Sequence, residues 1–261
     1  MNDELLDELG NVLAGWDDPQ ARLRNALSKD ELVLYCQPIR ALQGPATHPI
    51  AEVLVRLREE ESAMLPPGEF LPVFEHYGMM PELDRWVVRS VVKRLARGSK
   101  VPGFSVNLSG QTLADAAFPK FVAGELMDAR VPPKSLLFEV DESDLLAKPD
   151  VVRDFSTALR TIGVQTMADG FGRRAASFAP LKALVPRFIK VDGSITRRVL
   201  ASETAARKLQ AVVKVAEALG VEVIAECVEE QDILLRLKAL GVGYVQGFGV
   251  YRPHPIDSVA G

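Results

Sequence analysis

Eight short apolar runs recur along the chain with helix-patterned stretches between them, and this alternation restricts the fold more than any other feature. The runs are LVLYCQPI from Leu32, IAEVLVRL from Ile50, FSVNLS from Phe104, LLFEVDE from Leu136, VQTMAD from Val164, RFIKVD from Arg187, VEVIAE from Val221 and GYVQGF from Gly243. Short, nearly continuous apolar segments are how strands covered on both faces of a sheet read. Between them, WVVRSVVKRLA from Trp86, VVRDFSTALRTIG from Val151 and KLQAVVKVAEALG from Lys208 repeat apolar residues every three to four positions, as helices do. Gly163 and Gly220 stand where helix-ending glycines belong.

Alternating strand and helix predicts an α/β fold with a parallel or mostly parallel barrel. A doubly wound open sheet is the alternative, because the number of strands alone does not prove closure. The 261 residues suit an eight-fold barrel in one domain, and no repeat or linker divides residues 30 to 255. Residues 1–20 stand apart as an amphipathic helical extension. Leu5, Leu6, Leu9, Val12 and Leu13 keep helical spacing before the turn-like WDDPQ. This extension packs on the barrel, meets a partner subunit, or frays; the domain proper is 21–261.

The net charge of -4 leaves no basic footprint, which points away from duplex nucleic acid as a partner. Cys36 and Cys227 both fall in apolar, strand-like runs, and buried free thiols in a reducing compartment are the expectation. With no leader-like start and no apolar stretch near the length of a membrane span, a cytoplasmic location is expected.

The polar residues that interrupt the apolar runs carry the functional information. Glu52 sits within IAEVLV, Asn107 closes SVN, Glu139 ends LLFE and Asp169 ends QTMAD; Lys190 and Asp192 end FIKVD, Glu226 ends EVIAE, and Gln246 follows GYV. In a barrel, residues near the carboxyl ends of the strands converge on one mouth. Carboxylates in apolar surroundings are costly unless paired or bound to metal, and all-oxygen ligands suit Mg²⁺ or Mn²⁺. His48, His76 and His254 have no ligand spacing, which argues against a histidine-bound metal. The plain alternatives are an N-cap for any single acid, and an ion-pair partner of Glu139 or Asp192 for Lys190.

Taken together, QPI at Gln37, EVLVR at Glu52, VNLSGQ at Val106, FEVDES at Phe138, ADGFG at Ala168, KVDGS at Lys190, AECVEE at Ala225 and QGFGVYRP at Gln246 resemble the EAL-domain family. The resemblance runs from about Ala21 to Ile256. It implies a modified eight-fold TIM-like barrel with one antiparallel strand, Mg²⁺- or Mn²⁺-dependent hydrolysis of cyclic di-GMP to the linear dinucleotide, and homodimers. It also implies roles. Glu52, Asn107, Glu139 and Asp169 match metal ligands. Lys190 matches the lysine beside the nucleophilic water, and Glu226, with Glu52, joins it in the catalytic set. Gln37, Leu54, Arg56, Asp192, Gln246 and Phe248 match nucleotide-contacting positions, and Glu142 and Glu229 match acids that steady the loop beyond Asp169.

That loop departs from the family pattern. Active members carry a second aspartate where this chain has Gly170, and in the run Phe171, Gly172, Arg173, Arg174, Ala175, Ala176, Ser177 the family's small residue, second glycine and aromatic are replaced too. A cation site missing a ligand implies a signalling module that binds cyclic di-GMP, reports to a protein partner and hydrolyses it little or not at all. A phosphodiesterase of reduced turnover is the second expectation, and an interaction domain without nucleotide the third. If both arginines grip phosphate directly, reversing their charges weakens nucleotide binding.

Overall fold

The computed structural model describes residues 16, 18–29, 31–44, 47–58, 64–174 and 178–260. The extension up to Gly15 and Ala175, Ala176 and Ser177 of the variant loop lie outside the described residues.

All eight runs are strands: β1 (Leu32–Ala41), β2 (Ile50–Arg58), β4 (Phe104–Asn107), β5 (Leu136–Asp141), β6 (Gln165–Phe171), β7 (Phe188–Val191), β8 (Glu222–Ala225) and β9 (Tyr244–Val245). Two short edge strands, β3 (Met64–Leu65) on β2 and β10 (His254–Pro255) on β1, complete the sheet. From β2 through β4 to β9 every neighbour is parallel, whereas β1 runs antiparallel to both β2 and β9 and closes the ring. The open-sheet alternative is thereby excluded. The long β1–β2 register, from Leu32 opposite Leu57 to Ile39 opposite Ile50, secures that closure.

Helices cover the outside. The longest are α3 (Met80–Ala96), α7 (Pro149–Thr161) and α10 (Glu203–Leu219). Each buries one apolar stripe, such as Leu83, Val87, Val88 and Val91 on α3. Gly220 ends α10 at φ +68°, a left-handed cap that only glycine adopts without strain. The helix α1 (Pro19–Ser28) starts from Asp18, whose side chain accepts the N–H of Ala21. WDDPQ is therefore a helix start, and the boundary drawn at residue 20 falls inside α1, because an Asp-Pro pair caps and opens a helix as readily as it turns. No helix among the described residues is long and apolar enough to cross a membrane.

Inside the barrel a second apolar cluster forms a floor: Ile39, Ile50, Leu137, Met167, Phe188 and Ile224, with Tyr244 packed against it. Ile50, Leu137, Met167, Phe188, Ile224 and Tyr244 each lie two residues before Glu52, Glu139, Asp169, Lys190, Glu226 and Gln246; on the reversed strand, Ile39 lies two after Gln37. Side chains alternate along a strand, so one step of two residues moves from the dry floor to the polar mouth on each of these seven strands.

Candidate functional site

The mouth is organised around one buried ammonium. Lys190, 1% exposed, places Nζ 3.0 Å from Glu52 Oε2, 2.7 Å from Glu139 Oε2, 3.2 Å from Asp169 Oδ1 and 3.2 Å from Glu226 Oε1. Four strands thus deliver four carboxylates to a fifth strand's lysine. Asn107 donates Nδ2–H to Glu52 Oε1 at 2.9 Å, and Gln246 donates to Glu52 Oε2 at 2.6 Å and to Gln37 Oε1 at 3.1 Å. Gln37 in turn donates to the carbonyl of Tyr251 at 2.7 Å, tying β1 to the segment beyond β9.

Electrostatics follows from this inventory. Burial opposes charge on Glu52, but Lys190, Asn107 and Gln246 outweigh it and hold the carboxyl below its ordinary range. Glu139 has only Lys190 to offset burial and the charges of Glu52 and Asp169, and is pushed up to about 8. Burial raises Glu226 to about 7 against the pull of Lys190. The four carboxylates keep Lys190 charged in spite of its burial.

One cation is fewer than the acids call for. Among the described residues, Glu139 Oε1 is buried without a hydrogen-bond partner, and so is Asp169 Oδ1, which approaches Lys190 without the alignment of a hydrogen bond. The oxygen-only chemistry of this set suits a hard divalent cation. The acids close on Lys190 instead of standing apart as a ready ligand shell, and among the described residues no such shell of three His, Cys, Asp or Glu side chains is formed. The histidines lie elsewhere, His48 and His254 against Tyr251 and His76 against Tyr77.

Asp169 does not end its strand. β6 continues through Gly170 to Phe171 by a one-residue bulge: Ala168 pairs with Ile189, whereas Phe171 pairs with Val191. Gly170 occupies that bulge at φ +61°, a conformation suited to glycine. The turn that follows is held by Glu142, whose two carboxylate oxygens accept N–H from Gly172 and Arg174, each at 2.8 Å. Glu229 is exposed and makes no hydrogen bond to the described part of this loop. Cys227 follows β8 instead of lying within it and is half-buried. Its φ of +55° is a strained turn immediately after Glu226, the kind of backbone that sites rather than strands hold.

Two clefts flank the acids. Gln37, Glu52, Glu226, Glu229, Gln246 and the half-exposed Phe248 line one of about 140 Å³; Phe248 stacks under Arg252 at 5.2 Å. A larger, mainly apolar cleft of about 340 Å³ lies on the other side, lined by Leu54, Pro67, Leu71, Asp84 and Asn107. Arg56, two residues beyond Leu54, lies over the Tyr35 ring at 5.6 Å. Asp192 is drawn to the loop, accepting from Arg173 at 2.8 Å. Asp84 was not singled out in the sequence, yet it shares the α3 stripe with Val87, Val88 and Val91, and an acid on a buried stripe is a signal in itself. Ser109 Oγ and Thr112 Oγ1 donate to it at 2.9 and 2.5 Å, and burial still raises its carboxyl to about 6.

Similarity to known proteins agrees with this architecture. The EAL-domain family model matches residues 20–253. Cyclic di-GMP phosphodiesterase PdeB of Shewanella oneidensis is 30% identical over 240 residues, covering 91% of this chain and 28% of PdeB. Cyclic di-GMP phosphodiesterase NbdA of Pseudomonas aeruginosa is 32% identical over 244 residues, covering 92% of this chain and 31% of NbdA. The chain therefore spans under one third of the length of these curated relatives. The solved FimX EAL domain of Pseudomonas aeruginosa, bound to c-di-GMP, superposes with a TM-score of 0.85 at 30% identity, over 90% of this chain and 96% of that one. With its family model running from the first turn of α1 to Pro253, just before β10, this chain belongs to the EAL-domain family.

Proposed function

We propose that this chain is a cyclic di-GMP-binding domain with little or no hydrolytic turnover, acting as a regulatory module toward a protein partner. The observation that carries the reading is the pairing of an intact acid–lysine mouth with a glycine directly after Asp169, where no side-chain oxygen can be offered to a cation. The coverage of curated relatives named as phosphodiesterases and the likeness to a nucleotide-bound domain support the ligand class.

In this reading Glu52, Asn107, Glu139 and Asp169 would hold a divalent ion, which when bound supplies Lewis-acid activation of water and neutralises phosphate charge. The chain's own groups do the rest. Lys190 orients the carboxylates and offers positive charge beside a phosphoryl group. Glu226, raised to about 7, is poised to take a proton from a water near neutral pH. Arg56, Gln37 and Asp192 supply polar contacts to the nucleotide, and Leu54 with the apolar cleft and Phe248 offers surfaces for planar bases. Glu142 anchors the loop.

A phosphodiesterase of reduced turnover is the second reading, favoured by the convergence of Glu226 and Lys190. Incubation with cyclic di-GMP and Mn²⁺, chromatography for the linear dinucleotide and parallel calorimetry separate the readings. Binding heat without product is expected. Product formed at about 1 s⁻¹ or faster, an ordinary enzyme rate, overturns the proposal, and absence of both signals overturns nucleotide binding altogether.

A further inference from the structure

The turn after β6 is built to return one side chain over Gly170. Glu142 fixes its backbone from below, and Gly172 lies so close to α9 (Gly193–Thr196), the short helix after β7, that a Cβ there would stand 2.7 Å from Ile195 Cδ1. From this turn Arg173 reaches back. Its Nε donates to Asp192 Oδ2 at 2.8 Å, and its Nη1 lies 3.5 Å from Asp141 Oδ2. Its Nη2 stands 2.5 Å from where a Cβ on Gly170 would be.

The two acids it bridges are matched. Asp141 follows Val140 at the end of β5, and Asp192 follows β7, so the guanidinium spans from one neighbour of β6 to the other, directly across Gly170. In each acid Oδ1 accepts the N–H of a residue in the helix that follows, Ser143 at 2.8 Å and Ser194 at 2.9 Å. That leaves each Oδ2 turned to Arg173. Asp169, level with Asp141 in the β5–β6 register, adds its field to the same cation.

We infer that the Arg173 guanidinium is a built-in cation occupying the Asp141–Gly170–Asp192 side of the mouth, so that this side admits no divalent ion and the domain takes at most one. The inference rests on the reading of the mouth as a cation site. A guanidinium satisfies both Oδ2 atoms through planar N–H donors, yet it cannot polarise a water as a metal ion does. A divalent ion brought within a few ångströms of it meets direct repulsion. The absence of a side chain at residue 170 and the presence of Arg173 are then one device: the arginine fills the space and the charge that the missing side chain leaves. A mere loop latch would use the same ion pairs but would leave the number of bound cations unchanged when removed.

The test counts cations without nucleotide. The full chain is titrated with Mn²⁺ by calorimetry, with free Mn²⁺ read by electron paramagnetic resonance, for wild type, Gly170→Asp, Arg173→Ala, Arg173→Gln and Gly170→Asp/Arg173→Ala. One Mn²⁺ is expected for wild type, and one for Gly170→Asp, whose new carboxylate lands against Nη2. Two are expected for the double variant, and a second, weaker Mn²⁺ for Arg173→Ala and for Arg173→Gln, which keeps the length of the side chain. A second Mn²⁺ in wild type, a second on Gly170→Asp alone, or one or none throughout the series overturns the inference. Cyclic di-GMP titrated into wild type reads the proposed function separately, so either can fail without the other.

Discussion

The Nζ of Lys190 lies 2.7 Å from Oε2 of Glu139, and both side chains are sealed from solvent, at 1% and 0% exposure. Charges so placed cannot be left unpaired. Lys190→Met leaves four carboxylates without their cation and should destabilise the metal-free protein by about 3–5 kcal/mol. Adding Glu139→Gln should recover most of that loss. Urea unfolding of the single and double variants checks both, and equal loss in the two would show that the ammonium does not balance Glu139.

Asp84 makes stability depend on pH. Its folded carboxyl titrates at about 6 against an ordinary 3.8, so the folded chain holds a proton that the unfolded chain has released between those values. Stability from this group is full below the unfolded value and declines as pH rises through the window, by at most about 1.4 kcal/mol per unit. The difference between wild type and Asp84→Asn, followed by thermal melts from about pH 3 to about pH 8, should change in that sense and level off above about pH 7. A difference independent of pH would refute the assignment.

Glu142 is the clamp of the turn after β6, through the N–H groups of Gly172 and Arg174. Glu142→Gln retains one acceptor oxygen and loses the other along with the charge, a loss of about 1–3 kcal/mol in local order. Hydrogen exchange of amides 172 and 174 should quicken at least ten-fold while β4 and β5 stay protected. Uniform quickening would mean the residue supports the barrel instead of the loop.

Arg56 stands over Tyr35 at the outer end of β2, beyond Leu54 and the larger cleft. If it meets a phosphate or a guanine edge, Arg56→Ala should weaken cyclic di-GMP binding about 10- to 100-fold, the worth of a charge-assisted hydrogen bond. Arg56→Lys should recover only part of it, since an ammonium lacks the planar fork. Calorimetric affinities within two-fold of wild type for both would remove Arg56 from the site.

Cys36 is fully buried, and burial pushes its thiol up to about 12, whereas Cys227 is half-buried beside Gly193. An aromatic disulfide reagent at pH 8 should label at most one thiol of the folded protein, Cys227, and both in guanidinium chloride, since the thiolate is the reactive form. Prompt labelling of Cys36 in the native state would contradict the packing of β1.

Much of this was legible in the chain because strand periodicity is a local property. Ile50 and Glu52, Leu137 and Glu139, Phe188 and Lys190 each sit two residues apart, so the pattern of an apolar floor beneath a polar rim is written within single strands. The bulge at Gly170 was not legible as such: VQTMAD reads as a strand ending at Asp169, and only pairing with β7 shows β6 running on to Phe171. Cys227 likewise reads as strand until its left-handed backbone is seen.

What the sequence determined by itself was the set of eight strands, the residue types that interrupt them and the family they resemble, because alternation and composition need no partner to be read. Tertiary structure alone decided that β1 closes the ring in reverse, that four acids close on Lys190, and that Arg173 bridges Asp141 and Asp192 across a glycine. Those facts join positions between about 20 and about 205 residues apart along the chain, and which charge finds which is settled by the low-dielectric space the folded barrel brings them into.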